Sequence, residues 1–112
     1  MHILDENNVW ACGNYNTILK RKADPNGVIY WQNTPIDGVS PNMRWNDIFF
    51  SDQSTGWVVG NFGMIYKSTD GGESWQKEDS NVFDHLQAIY MVNNKRGWAV
   101  GDDGTILSFF GE

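Results

Sequence analysis

Short apolar–polar stretches, divided by turns rich in Gly, Asn and Asp, follow one another along the chain. WNDIFF (45–50) and LQAIYM (86–91) alternate as a strand with one buried face does. Between them come GWVVG (56–60), MIYKS (64–68) and a stretch that opens at Trp75 in WQKE. The pattern predicts a unit of four short antiparallel strands, which we letter A to D in chain order.

The pattern is repeated, and three segments align without gaps: DENNVWACGNYNTILK (5–20), DQSTGWVVGNFGMIYK (52–67) and NNKRGWAVGDDGTILS (93–108). Trp10, Trp57 and Trp98 coincide, with spacings of 47 and 41 residues, and the shared Gly and Ile positions keep these spacings. A repeat of about 40–45 residues with four strands is typical of a β-propeller blade. We therefore predict an all-β fold of propeller blades, each a four-stranded antiparallel sheet, with the strand-B tryptophans in the core between blades.

The predicted blades differ in extent. Blade 1 covers 1–40, blade 2 covers 44–80 and a partial blade 3 covers 85–112, which makes about two and a half blades. Residues 1–3 align with 48–50, so the chain is predicted to begin within strand A of blade 1. A propeller needs about 4 to 8 blades to close. We expect an incomplete ring, either a piece of a longer propeller or a unit that associates with copies of itself to complete the ring.

The connections between strands B and C predict tight hairpins. Gly63 and Gly104 occupy the same place in NFG and DDG and are expected to adopt a positive φ. Asn16 takes this place in the first copy, and Asn is the non-glycine residue that best tolerates this conformation.

STDGGESW (68–75), between strands C and D, has the spacing of an Asp-box, Ser-x-Asp-x-Gly-x-x-Trp, at Ser68, Asp70, Gly72 and Trp75. An Asp side chain can accept hydrogen bonds from its own turn, and a Trp can cover the corner. We expect a self-contained structural turn on the outer side of the blade. A calcium loop would need oxygen ligands at alternate positions, and no phosphate-binding glycine motif is present.

GWVVGNFGMIYKSTDGGESW (56–75) and GWAVGDDGTIL (97–107) resemble the photosystem II stability/assembly factor-like proteins, a BNR-type β-propeller family. The resemblance extends through all three copies. It implies a non-enzymatic scaffold that binds other proteins, in the named member during photosystem assembly. The same box also occurs in sialidases, so the fold hosts several functions. The alternative is the remnant of a carbohydrate-binding or glycan-processing, sialidase-like propeller.

The candidate chemistry favours the scaffold. A sialidase gathers three arginines around its substrate, whereas Arg21, Arg44 and Arg96 are predicted at different heights and radii of their blades. The single cysteine, Cys12, aligns with valines and is expected in the core as a small hydrophobe. We predict no catalytic residue, no cofactor and no metal site. Arg44 and Trp45, at the start of an inner strand, form the candidate binding surface.

Charge narrows the class of partner. The chain has 14 acidic and 8 basic residues and a net charge of -6, which argues against nucleic acid and anionic membranes. No run approaches the ~18 apolar residues that span a bilayer, and the first ten residues lack the features of a signal peptide. We expect protein partners, including copies of the chain itself. The compartment stays open, and a piece of an exported protein is compatible with the sequence.

Overall fold

Eleven strands form three antiparallel sheets in a computed structural model, which describes residues 2–110. Sheet 1 contains β1 (His2–Asp5), β2 (Asn8–Gly13), β3 (Thr17–Ala23) and β4 (Ile29–Asn33). Sheet 2 contains β5 (Trp45–Phe50), β6 (Gly56–Gly60), β7 (Ile65–Ser68) and β8 (Gln76–Glu78). Sheet 3 contains β9 (Leu86–Met91), β10 (Arg96–Gly101) and β11 (Ile106–Phe110). Strands pair in chain order, so each sheet is a meander.

The sheets are the predicted propeller blades, and the all-β fold class is confirmed. Strands A and B of the second copy span the residues that the pattern indicated, and strand D begins at Gln76, one residue after Trp75. In sheet 1 the strand-A position is filled by β1 from His2 onward. The strand-A elements of neighbouring sheets contact one another, so the sheets are arranged side by side around their first strands.

The strand-B tryptophans keep one register throughout. Each pairs with a strand-C residue at the same place, in the pairs Trp10–Lys20, Trp57–Lys67 and Trp98–Ser108. Both lysine Nζ atoms lie over the paired rings, 5.8 Å and 5.6 Å from the ring centroids, which is within cation–π reach. The repeat in the sequence is therefore also a repeat in three dimensions.

The core lies in the two seams between sheets. Seam 1, between sheets 1 and 2, buries Trp10, Ile18, Ile36, Met43, Trp45, Ile48, Phe50, Val58 and Tyr66. Seam 2, between sheets 2 and 3, buries Trp57, Val59, Ile65, Leu86, Ile89, Met91 and Ala99. Side chains alternate across a strand, so Val58 faces seam 1 while Trp57 and Val59 face seam 2. This double burial explains why GWVVG is apolar at every position.

The hairpins between strands B and C have two successive residues with positive φ, as in a type I′ turn. Gly63 and Gly104 have φ of +70° and +75°, and Asn16 has +56°, which confirms the prediction. The residue before each also has a positive φ, which the sequence pattern did not indicate. At Gly63 an added Cβ would lie 2.0 Å from the carbonyl oxygen of Val82, so this position admits only glycine.

Asn16 fixes the linker (34–44) that joins sheets 1 and 2. Its Nδ2 donates to the carbonyl oxygen of Ile36 at 2.8 Å, and its Oδ1 accepts the Ile36 N–H at 3.2 Å. The same Oδ1 accepts the indole N–H of Trp45 at 2.9 Å. The backbone N–H of Asn16 donates to the carbonyl oxygen of Met43 at 2.7 Å. One buried side chain thus satisfies both backbone polar groups of Ile36, a buried residue of an otherwise mostly exposed linker, together with the indole of Trp45.

We expect Asn16→Gly to lower the free energy of unfolding by more than about 2 kcal/mol, because each buried polar group left unpaired costs about 1–3 kcal/mol. Glycine accepts the positive φ, so this change removes the side-chain bonds without adding backbone strain. Urea unfolding followed by tryptophan fluorescence measures the loss. Tyr15→Asn, at the exposed neighbouring turn position, is the control and should change stability by less than about 0.5 kcal/mol. Equal losses for the two variants would contradict the assigned role of Asn16.

Candidate functional site

The Asp-box folds around the hydroxyl of Ser68 and the carboxylate of Asp70. Ser68 is buried at the end of β7, where its Oγ donates to Asp70 Oδ1 at 2.8 Å. The same Oγ accepts the N–H of Gly72 at 2.9 Å. Asp70 also accepts the backbone N–H of Ser74, at 2.9 Å, and its hydroxyl. A single carboxylate therefore closes the loop between strands C and D.

These hydrogen bonds favour the ionised form of Asp70. Partial burial raises the pKa of Asp70, but the hydrogen bonds from Ser74 and Ser68 outweigh it and lower the pKa to about 2. The carboxylate is consequently charged at any physiological pH, and its oxygens are occupied by donors from its own turn. The contacts of this carboxylate are hydrogen bonds within its own turn, from Ser68 and Ser74.

The box is not self-contained, contrary to the sequence prediction, because it also binds sheet 1. Trp10 Nε1 donates to the carbonyl oxygen of Gly71 at 3.0 Å, and Thr34 Oγ1 donates to that of Gly72 at 3.0 Å. Gly72 has a φ of +93°, and a Cβ there would lie 3.2 Å from Trp10 Nε1. The glycine therefore provides both the turn conformation and the close approach of the neighbouring sheet.

An aromatic stack lies directly beneath these hydrogen bonds. The rings of Trp10 and Phe50 are parallel within 5°, and their centroids are 3.7 Å apart. Trp75 of the box meets Phe50 edge-on, with centroids 5.8 Å apart and an interplanar angle of 79°. The seam thus combines ring stacking with indole N–H donation, and both depend on the same tryptophan of strand B.

In sheet 1 the corresponding turn, in KADPNGVIYW (22–31), keeps an Asp, a Gly and a Trp, at Asp24, Gly27 and Trp31, with two extra residues between Asp and Trp. Asp24 Oδ1 accepts the N–H groups of Asn26 and Val28, both at 2.9 Å. Lys22 lies two residues before Asp24, as Ser68 lies two residues before Asp70, so the hydroxyl of the box is missing here. Lys22 instead forms a salt bridge with Glu73 of the intact box, across seam 1.

Arg44 and Trp45, the predicted binding surface, lie in opposite environments. Arg44 is exposed. Trp45 is only 2% exposed, packs in seam 1 and donates its indole N–H to Asn16. A buried indole adds nothing to a surface, so the prediction is corrected for Trp45: strand alternation turns this first residue of β5 into the core.

Burial shifts the pKa of two titratable side chains, Cys12 and His2. Burial raises the pKa of the Cys12 thiol to about 12, and its Sγ donates to the carbonyl oxygen of Trp45 at 3.6 Å, so the thiol form predominates at neutral pH. His2 packs 4.3 Å from the ring centroid of Phe49, and burial lowers its pKa. Among residues 2–110, no three His, Cys, Asp or Glu side chains are grouped to hold a metal ion. No helix in this range has the length and apolar character of a membrane span.

The third sheet presents an apolar surface that no other described residue covers, which we call the open face of sheet 3. It consists of Trp98, Val100 and Ile106, which are 49%, 42% and 69% exposed. The same repeat positions in sheet 2 are Trp57, Val59 and Ile65, and all three are buried in seam 2. The open face therefore has the composition of a seam, and no residue within the described range 2–110 supplies the second half.

Sheet 1 has the complementary surface, the open face of sheet 1. Ile3 is 63% exposed and Trp31 is 45% exposed. Their repeat equivalents in sheet 2 are Phe50 and Trp75, which pack against Trp10 in seam 1. The two ends of the stack thus carry the two different halves of one kind of interface.

The four-stranded meanders, their paired seams and the box between strands C and D define a stack of BNR-type β-propeller blades. A family model described as "Photosynthesis system II assembly factor YCF48" matches residues 1–110. The chain belongs to this family, and the resemblance inferred from GWVVGNFGMIYKSTDGGESW is confirmed.

Relatives share parts of this sequence and its fold. The chain is similar to photosystem II stability/assembly factor HCF136 of Arabidopsis thaliana, at 28% identity over 58% of this chain and 17% of that protein. It is 37% identical to photosystem II assembly protein Ycf48 of Synechococcus sp. (strain JA-3-3Ab), over 49% of this chain and 17% of that one.

Solved structures superpose over nearly the whole chain. YCF48 from Cyanidioschyzon merolae gives a TM-score of 0.73 at 25% identity, covering 92% of this chain and 33% of that one. A structure described as YCF48 bound to D1 peptide gives 0.71 at 19% identity, covering 94% and 34%. At 19% identity, the similarity to this second structure shows the fold alone. The chain therefore spans about one third of the solved chains and about one sixth of the two sequence relatives.

We expect Asp70→Asn to destabilise the chain at neutral pH, because the amide replaces an acceptor oxygen with a donor nitrogen. The folded pKa of Asp70 lies below its ordinary value of 3.8, at about 2. The stabilisation by the carboxylate is therefore complete above the ordinary value and is lost as the pH falls through about 2. The difference in unfolding free energy between wild type and variant should persist to about pH 4 and then shrink. Urea unfolding across this pH range measures it.

Asp103→Asn is the matched control, since it makes the same chemical change on an exposed turn and Asn tolerates the positive φ of that position. We expect less than about 0.5 kcal/mol from this control at every pH. A stability gap for Asp70→Asn that stays constant down to pH 2 would show that the carboxylate does not hold the box.

Proposed function

We propose that this chain is a non-enzymatic module that binds other proteins in the assembly of a larger complex. The observation that carries the proposal is the open face of sheet 3. Its Trp98, Val100 and Ile106 are exposed, although the same positions of sheet 2 lie in the core. A contiguous apolar surface of this kind typically marks a protein interaction site.

The named relatives support a protein as the partner. HCF136 and Ycf48 are described as photosystem II assembly or stability factors, and one solved relative is described as bound to D1 peptide. This chain covers only 34% of that solved relative. We therefore propose the class of the partner, a protein segment, and not its identity.

The placement of the arginines gives no support to the glycan-processing alternative. Arg21 lies in β3, Arg44 precedes β5 and Arg96 opens β10. They lie in sheet 1, in the linker before sheet 2 and in sheet 3, at three different places in the repeat, so the carboxylate-binding cluster of a sialidase has no counterpart in this arrangement.

We further propose that the open face of sheet 3 is covered by the open face of sheet 1 of a second copy. Seam 1 is the template, because there Trp10 stacks on Phe50 beside Trp75. Trp98 of one copy would meet Ile3 and Trp31 of the next in the same way. The contact is heterologous, so it extends to a ring or a longer stack. Each copy contributes three units, 1–40, 44–80 and 85–112.

We expect Trp98→Ser and Ile3→Ser each to shift the chain from associated species to monomer, because each removes apolar area from one half of the contact. Light scattering coupled to size-exclusion chromatography, over a dilution series, measures the shift. Phe83→Ser is the control, since this 88% exposed residue lies in the linker between sheets 2 and 3.

The single variants should keep the far-ultraviolet circular dichroism of the wild type, because both residues are already exposed in the monomer. A wild type that remains monomeric at its highest soluble concentration would refute self-association. If copies still associate in both the Trp98→Ser and the Ile3→Ser variants, surfaces other than the two open faces form the contact.

A further inference from the structure

A groove lies at the end of sheet 2, between the turn of the Phe62 hairpin and the linker that leads to sheet 3. Its volume is about 370 Å³, within the range of about 300–1,000 Å³ found for ligand sites. Its lining includes two aromatic residues, three charged residues and the turn glycine: Phe62, Phe83, Lys77, Glu78, Asp79 and Gly63. We call it the turn–linker groove. It is distinct from both open faces.

The floor of the groove is fixed by hydrogen bonds. Ser80 Oγ donates to the carbonyl oxygen of Gly63 at 2.7 Å and accepts the N–H of Val82 at 3.3 Å. The linker also packs on the turn so closely that a Cβ at Gly63 would strike Val82. The turn and the linker therefore form one surface, whose shape is set before any partner arrives.

The aromatic walls are not explained by the fold. Phe62 has a φ of +62° and is 61% exposed, and Phe83 is 88% exposed. A left-handed conformation is unfavourable for a bulky residue. Because both rings are exposed, little apolar surface is buried to offset it. Asp103 occupies the equivalent of Phe62 in sheet 3 with the same conformation, so the turn itself does not require an aromatic residue. A positive φ at an exposed aromatic residue is a feature found at binding sites, and Tyr15 has the same conformation at the equivalent turn of sheet 1, outside the groove.

The charge around these walls is negative. The groove contains two acids, Glu78 and Asp79, and one cation, Lys77. Asp84 follows Phe83 directly along the linker.

A fourth acid, Asp102 on the neighbouring turn, is linked to Phe62 through His85. The N–H of Phe62 donates to His85 Nδ1 at 3.0 Å, and the two rings meet edge-on with centroids 5.0 Å apart. The N–H of Asp102 donates to the carbonyl oxygen of His85 at 2.9 Å. The groove and its surroundings thus combine two exposed aromatic rings with four acidic residues and one lysine.

We propose that the turn–linker groove docks an extended, positively charged peptide segment that carries an apolar anchor side chain. The anchor packs between Phe62 and Phe83, and flanking Lys or Arg side chains pair with Glu78, Asp79 and Asp102. Apolar anchors supply most of the affinity in such contacts, and complementary charge selects the partner. The inference rests on the proposed function, since it assigns a site for a protein partner, but it uses a different surface from self-association.

The test uses a fluorescein-labelled peptide of sequence KLKFKLK and its charge-reversed counterpart ELEFELE, titrated with the full chain and read by fluorescence anisotropy. We expect the basic peptide to bind and the acidic peptide to bind at least about tenfold more weakly. Binding of the basic peptide should weaken as salt is added, because its charge pairs are exposed to solvent.

Phe83→Ser and Phe62→Asn should each weaken binding of the basic peptide by about fivefold or more, since each removes one aromatic wall. Asn is chosen at position 62 because it tolerates the positive φ. Tyr15→Asn is the matched control: it makes an equivalent change at the same turn position of sheet 1, outside the groove, and should leave affinity unchanged.

The outcomes separate this site from the proposed function. Equal binding of the two peptides, no binding of the basic one, or full affinity in both Phe variants would overturn the groove proposal. Trp98→Ser should abolish association of copies and leave peptide affinity intact. If Trp98→Ser instead abolishes peptide binding while Phe83→Ser does not, the peptide binds the open face; the groove proposal is then wrong and the proposed protein-binding function stands.

Discussion

Blade-to-blade contact depends on the strand-B tryptophan of sheets 1 and 2, whereas the predicted core position of Trp98 in sheet 3 is wrong, since this residue is half-exposed. A small sheet cannot bury an apolar face by itself, so each blade is stable only against a neighbour. In seam 1 the indole of Trp10 lies parallel to Phe50 at 3.7 Å. In seam 2 Trp57 shares its cluster with Met91, which stands where Phe50 stands one repeat earlier. A flat indole packs against either a phenylalanine or a methionine. The strand-B tryptophan therefore fits seams of different composition.

The Asp-box adds hydrogen bonds to this contact between blades. The oxygens of Asp70 and Ser68 take up the N–H groups of their own turn. The carbonyl groups of Gly71 and Gly72 then face the neighbouring sheet, where they accept the indole of Trp10 and the hydroxyl of Thr34. The carboxylate therefore also affects the contact with the next blade. Because it accepts the N–H of its own turn, the two carbonyl groups remain available to accept hydrogen bonds from that blade.

The repeat made most of the fold predictable, because strand alternation, hairpin glycines and the spacing of Trp10, Trp57 and Trp98 all follow from local rules. The details that escaped prediction depend on neighbours. Asn16 was recognised only as a turn residue, since nothing local indicates that a linker about 20 residues away will need its side chain. The contact of the box with Trp10 was missed for the same reason: its two partners are 61 residues apart. Repeat alignment places that tryptophan in the seam, and this was the one signal that pointed to the contact.

The linker held by Asn16 shows where this architecture tolerates change in length. Residues 34–44 join sheets 1 and 2, whereas the shorter stretch 79–85 joins sheets 2 and 3, yet both lead into a strand A of six residues. The longer linker is anchored at Ile36 and Met43, so the exposed residues between these two points are insulated from the strands on either side. Insertions or a grafted reporter loop can be accommodated there without displacing the next blade, which makes this linker the natural position for sequence drift and for engineering.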